Sequence, residues 1–202
     1  MATEPSGDRE GSYERAVGLR RAHVSLLPAS GAWREGDPVG RRQLFSFGER
    51  AFALEGRAAE WVRRTARPKL VVASQTRVVE VVVDDAGAWV PGVPLVVVLA
   101  PSPRLWPLAA ALASPAITAW VLHRTAGTAL TPQALKVTAT LLRDAPLPTD
   151  EEAWARGTAA FRSGDLDGFG DAMAAAYGTG AELTEWWAER AKRVWSPNGA
   201  HR

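Results

Sequence analysis

The chain has 202 residues, 47% hydrophobic and 23% charged, with nine Trp and no Cys. This is the composition of a folded globular chain, and it excludes a disulfide framework, a thiolate zinc site and a thiol nucleophile. The 24 Lys plus Arg almost balance 22 Asp plus Glu overall, but not locally: residues 1–143 hold 18 basic and 12 acidic side chains (net +6), and residues 144–202 hold 6 and 10 (net −4).

A basic body of that kind suits a polyanion, and an acidic tail suits another task. Arg dominates the basic set, with Lys only at positions 69, 136 and 192. Asp, Arg or Pro interrupts every apolar run before the roughly 18 residues that a membrane span needs. The polar stretch Met1–Gly11 lacks the apolar centre of a signal peptide, so the expectation is a cytoplasmic chain.

Taken in chain order, residues 1–40 carry Gly, Ser, Pro and scattered charges without periodicity and read as loosely ordered. Gln43–Phe47 and Ala51–Leu54 read as a hairpin turning at Gly48-Glu49. A helix is expected over Arg57–Ala66, stopping before Pro68. The β-branched runs Lys69–Ala73 and Val78–Val83 are the clearest strands, with Ser74-Gln75-Thr76-Arg77 as the link between them. Strand resumes at Ala88–Val90 and Pro94–Leu99 after the turn Asp84–Gly87. Having no polar face, Leu95–Leu99 should be a central strand covered on both sides.

Two helices follow: Trp106–Ala113, with Pro107 near its start, and Pro115–Arg124, with Ser114 as N-cap and Gly127 past the end. Residues 128–148 return to mixed structure and close on Ala145-Pro146-Leu147-Pro148. The 149–195 tail reads as three helices: one capped by Thr149 with Glu152 three residues on, one opened by Asp165 and ended at Gly178, and one striped by Leu183, Trp187, Val194 and Trp195. Residues 196–202 are expected to fray. The fold class expected is α/β in the α+β sense, a small mixed sheet with a helix pair, followed by a C-terminal helical subdomain. Its divisions are 1–40, 41–148 and 149–195.

Several chemistries lack their motifs. The only Asn is Asn198, and no Pro-Pro pair exists, so the Asn/Asp-Pro-Pro-aromatic tetrad that grips a flipped base is missing. No glycine-rich turn joins a strand to a helix as nucleotide or S-adenosylmethionine binding requires. The residues two before each Lys are Arg67, Ala134 and Arg190, so the acidic-x-Lys element of common nucleases is missing too. His23, His123 and His201 lack an i+4 partner for metal, and Asp165–Gly168 carries its glycine at the wrong place for a calcium loop. Neither a catalytic residue nor a metal site is expected.

What remains is a pattern of order. Pro68-Lys69-Leu70-Val71-Val72 is followed by Glu80–Val83 and an acidic turn, then Pro94–Leu99, the helix Trp106–Ser114 ending in Ala-Leu-Ala-Ser-Pro, the helix Ala116–Leu122, and Leu141-Leu142-Arg143-Asp144-Ala145-Pro146-Leu147-Pro148. This resembles the C-terminal target-recognition (specificity) domain of adenine-N6 DNA methyltransferases of restriction-modification and phage-defence systems, over about three fifths of the chain. The resemblance implies a DNA-binding specificity module detached from its catalytic domain. Such a module is no enzyme by itself, and S-adenosylmethionine would be bound only by a separate catalytic chain. The expected partners are double-stranded DNA and such a methyltransferase subunit. The alternative is an accessory subunit that docks a methyltransferase or phage-defence protein without touching DNA.

Residues 15–77 hold 13 basic and 5 acidic side chains (net +8), which places the expected DNA contacts there. Ser74, Gln75, Thr76 and Arg77 offer hydroxyls, an amide and a guanidinium suited to base edges. Arg41, Arg42, Arg63 and Arg64 suit phosphates, and family position adds Arg124, Thr125 and Lys136. Trp186 and Trp187 are candidates for docking a protein partner.

Overall fold

The computed structural model describes residues 20–23, 43–46, 60, 63–91, 95–127 and 134–195. Its strands in chain order are β1 (Arg20–His23), β2 (Gln43–Ser46), β3 (Lys69–Ala73), β4 (Gln75–Thr76), β5 (Val81–Asp84), β6 (Trp89–Pro91), β7 (Leu95–Val98) and, later, β8 (Leu135–Lys136). The helices are α1 (Ser102–Ala113), α2 (Pro115–Thr125), α3 (Ala139–Arg143), α4 (Glu151–Ser163), α5 (Leu166–Tyr177) and α6 (Ala181–Trp195). Glu60 and residues 63–65 are also helical, within the span expected before Pro68. The chain is mixed α and β, as expected, and the strands among the described residues form three small antiparallel sheets.

β3 lies at the centre of the sheet β5-β3-β7, where Val71 stands opposite both Val82 and Val97. Its side chains alternate between two cores. Leu70 and Val72 join the main core beneath α1, and Val71 packs with Val82 toward Trp89 and Leu95. The all-apolar Leu95–Leu99 run predicts the central strand, but β7 is an edge strand of half-buried residues. β6 and α3 lie against it, so an edge is covered without a polar face.

β2 pairs with β1 on one side and β6 on the other, with Phe45 opposite Arg21 and Val90. The expected hairpin partner, Ala51–Leu54, lies outside the described residues. β1 itself falls inside the segment read as loosely ordered, most of which also lies outside them.

α1 starts four residues earlier than expected, with Pro103 in its first turn, where a missing N–H costs nothing. Pro107 therefore sits inside the helix, where its carbonyl accepts a 2.9 Å hydrogen bond from Trp154 Nε1 of α4. Leu105 and Ala109–Ala113 are buried, and the small Ala face lets β3, β5, α2, α4 and α5 approach closely. Ser114 caps α2 as expected, its Oγ accepting from Ile117 N at 3.2 Å. The α1–α2 pair bends by 60° there, and no single helix among the described residues is long and apolar enough to cross a membrane.

The first tail helix differs by one residue from expectation at its start. Asp150, not Thr149, caps α4, its Oδ1 accepting from Ala153 N at 2.9 Å. The backbone N–H groups of Thr149 and Asp150 both donate to the Ala176 carbonyl, which ties the approach to α4 onto the end of α5. A carboxylate at that position also faces the positive end of the helix dipole. Asp165 caps α5, and Phe169 and Met173 of its expected stripe are fully buried. Gly157 of α4 lies so close to α5 that a Cβ there would stand 2.4 Å from Met173 Sδ.

A ladder of rings joins the helices. Trp106 meets Phe161 at 6.4 Å, Phe161 meets Phe169 at 5.0 Å and Phe169 meets Trp187 at 5.6 Å, from α1 through α4 and α5 to α6. Residues before and after position 148 thus share one core.

The turn between β5 and β6 depends on Gly87, whose φ of +68° is in the left-handed region. A Cβ at Gly87 would lie 2.6 Å from the Cα and carbonyl carbon of Arg67, and backbone cannot step aside as a side chain can. Gly87→Ala is expected to cost about 2–4 kcal/mol, combining the left-handed penalty with the overlap. Urea unfolding of the variant checks it.

Candidate nucleic-acid interface

β4 and β8 are each two residues long, and their pairing places Gln75 opposite Lys136 and Thr76 opposite Leu135. A 2.8 Å bond from Val137 N to the Ser74 carbonyl extends the ladder. Alternation turns Thr76 and Leu135 inward and leaves Gln75 and Lys136 exposed side by side. Arg77, next in the chain, is exposed as well.

The inward residues anchor this strip. The Thr76 hydroxyl donates to the Glu80 carboxylate, and both are buried. Val79 N donates to Thr118 Oγ1 of α2 at 3.2 Å, so the link between β4 and β5 is fastened to the helix pair. Thr76 therefore holds the loop's shape and does not face a ligand, contrary to its expected role in reading bases. Ser74 is half-buried.

α6 completes the strip. Arg190 Nε donates to the Arg77 carbonyl at 3.0 Å, and its guanidinium lies over the Trp186 ring at 4.9 Å. Burial, reinforced by the charge of Arg77, holds the Arg190 guanidinium below the usual arginine range. The candidate residues Gln75, Arg77, Lys136 and Trp186, spread over 112 positions, thus meet at one surface together with Arg190, which sequence reasoning missed. A signal existed: Trp186 and Arg190 are four apart on a helix, the spacing at which side chains stack. The same spacing puts Arg124 over Trp120 at 4.5 Å on α2, which touches both β8 and α6.

Other expected residues have different surroundings. Thr125 is buried and donates to the Val121 carbonyl within its own helix, so it offers nothing to DNA. Trp187 is 1% exposed at the end of the ring ladder, which rules it out as a docking residue, whereas Trp186 is half-buried. Arg63 and Arg64 are exposed on the helical residues before β3, an element separate from the strip. Arg41 and Arg42 lie outside the described residues.

Two further features carry polar chemistry. Lys69 and Asp84, 0% and 1% exposed, form a buried ion pair between β3 and β5. The Asp84 carboxylate also accepts from Ala88 N at 2.9 Å and Trp89 N at 3.0 Å, and Lys69 Nζ reaches the Arg67 carbonyl at 3.4 Å. Burial pushes the Lys69 ammonium down, and the hydrogen bond and charge of Asp84 pull it partly back. Sealed from solvent, this pair fixes the turn that carries the chain from one sheet to the next. The second feature is an open cleft of about 430 Å³ lined by Arg67, Pro68, Leu99, Ala100, Pro101 and Ser102, at the start of α1. Among the described residues no three His, Asp or Glu side chains gather where they could hold a metal.

Compared with known proteins, the chain matches no family model, no curated protein and no solved structure.

Proposed function

We propose that the chain binds duplex DNA through the strip Gln75, Arg77, Lys136 and Arg190, with Arg124 beside it, as a target-recognition module without catalysis of its own. In this reading a separate adenine methyltransferase chain supplies S-adenosylmethionine and the chemistry. The observation that carries the reading is the β4–β8 pair, which sets Gln75 beside Lys136 although 61 positions separate them in the chain.

The residue types suit the task. Arg77, Lys136 and Arg190 are cations for phosphate oxygens, which fix register without reading sequence. Gln75 carries the side-chain type that pairs with the major-groove edge of adenine, offering one donor and one acceptor together. Thr76, Glu80 and Thr118 hold that surface from behind, so it meets DNA already formed.

Three to four such cations on phosphates predict a log–log salt slope of about −2.7 to −3.6, or an affinity about 40- to 150-fold weaker at 200 mM than at 50 mM salt. A gel-shift salt series on the pure chain, alone and with a methyltransferase chain, tests this. Absence of any retarded species at 50 mM salt in both series overturns the reading.

A further inference from the structure

Two arginines at this surface are stacked on tryptophan, and they differ in what their donors do. Arg190 gives its Nε–H to the Arg77 carbonyl. Arg124 lies over Trp120 at 4.5 Å, and among the described residues its guanidinium donates to no carbonyl and pairs with no carboxylate. It is exposed in the last turn of α2, a helix that touches both β8 and α6. A cation in that turn ordinarily serves the carbonyls left open at the helix end. Arg124 instead turns back over the residue four positions before it, and the Val121 carbonyl takes the Thr125 hydroxyl.

A phosphate contact needs only a charge within reach, which lysine supplies as a point charge. A fixed guanidinium plane matters where the acceptors lie in a plane themselves. Guanine O6 and N7 on the major-groove edge are such a pair, and they accept the two parallel donors of an arginine fork. Stacking on Trp120 occupies a face of the Arg124 guanidinium and leaves its N–H edge open.

We propose that Arg124 reads a guanine of the bound duplex, with Trp120 as the positioning residue for its fork. This rests on the DNA-binding reading above, in which Arg77, Lys136 and Arg190 meet phosphates, and adds to it a requirement for one G·C pair.

The test selects sites from a random duplex pool with the full chain, then compares the parent with Arg124→Ala, Trp120→Leu and Arg162→Ala on the selected site. Arg162 lies over Trp106 at 5.2 Å, so its variant removes the same charge from a similar stack. The parent's site should contain a G·C pair whose preference disappears in Arg124→Ala. Affinity of that variant for the site should fall about five- to 150-fold, with the salt slope unchanged. Trp120→Leu keeps the cation and should lose about two- to fivefold, and Arg162→Ala should keep the preference. Replacing the guanine by 7-deazaguanine, which lacks the N7 acceptor, should weaken the parent and leave Arg124→Ala unaffected.

A salt slope reduced by about 0.9 in Arg124→Ala, with the preferred sequence intact, puts Arg124 on a phosphate and overturns the guanine contact while DNA binding stands. A parent that binds duplex without preferring any sequence, or 7-deazaguanine felt equally by parent and variant, overturns it as well. A parent that retards no duplex at 50 mM salt overturns the DNA-binding reading and the guanine contact together.

Discussion

Replacing Lys69 by Met lowers the stability of the chain by about 3–5 kcal/mol, although methionine fits a core and a lysine ordinarily does not. The reason is what stays behind. Asp84 retains two backbone donors, from Ala88 and Trp89, but its charge is left in a site that solvent does not reach. Adding Asp84→Asn removes that charge while keeping an acceptor for one of those donors. The double variant is therefore expected to be more stable than Lys69→Met alone, because a buried pair contributes little beyond what each partner costs when stranded. Urea unfolding of the three proteins checks both statements. A Lys69→Met variant within 1 kcal/mol of the parent would contradict this account of the sheet junction.

Phe169→Ala is expected to cost a similar amount, about 3–5 kcal/mol. Phe169 is fully buried and its ring meets both Phe161 and Trp187, so its loss opens a cavity between α4, α5 and α6 together. Arg190 leaves α6 one turn beyond Trp186, next to Trp187 on the core side. Loosening α6 should therefore also lengthen or break the Arg190–Arg77 bond. Thermal unfolding measures the first effect, and the Arg190 Hε signal reports the second below the melting transition.

Much of the fold is legible in the residues, and the failures have identifiable causes. Lys69–Ala73, the Ser114 cap and the Asp165 cap each depend on chemistry within a few residues, and each lies where the sequence predicts it. Sheet order depends on distant partners. Leu95–Leu99 has the composition of a central strand, but nothing within it records that β3 can bury both of its faces or that β6 and α3 will cover an edge. Thr149 and Asp150 both suit a cap; Asp150 Oδ1 takes the Ala153 N–H, while the backbone N–H groups of both residues go to the distant Ala176 carbonyl. Lys69 reads as one more exposed cation until its register opposite Asp84 is known.

The candidate surface divides in the same way. Gln75 and Arg77 are identifiable by type and Lys136 by its place in the resemblance, but only the β4–β8 register brings them together. Thr76 and Thr125 have the same hydroxyl chemistry as base-reading residues and spend it internally, on Glu80 and on the Val121 carbonyl. Trp186 and Trp187 are adjacent in sequence, yet helical geometry sends one to the core and leaves the other half-buried under Arg190. The charge asymmetry also acquires a different meaning. The acidic tail supplies Arg190 to the basic body, so the two halves build one surface.

The most direct measurement is duplex DNA affinity at 50 mM salt for two paired variants, Arg77→Ala/Lys136→Ala and Arg63→Ala/Arg64→Ala. Each pair removes two positive charges, so the net charge is matched. The account predicts that the first pair loses on the order of tenfold per contact and the second stays within about twofold of the parent. Equal losses from both pairs, or a loss confined to Arg63 and Arg64, would contradict it.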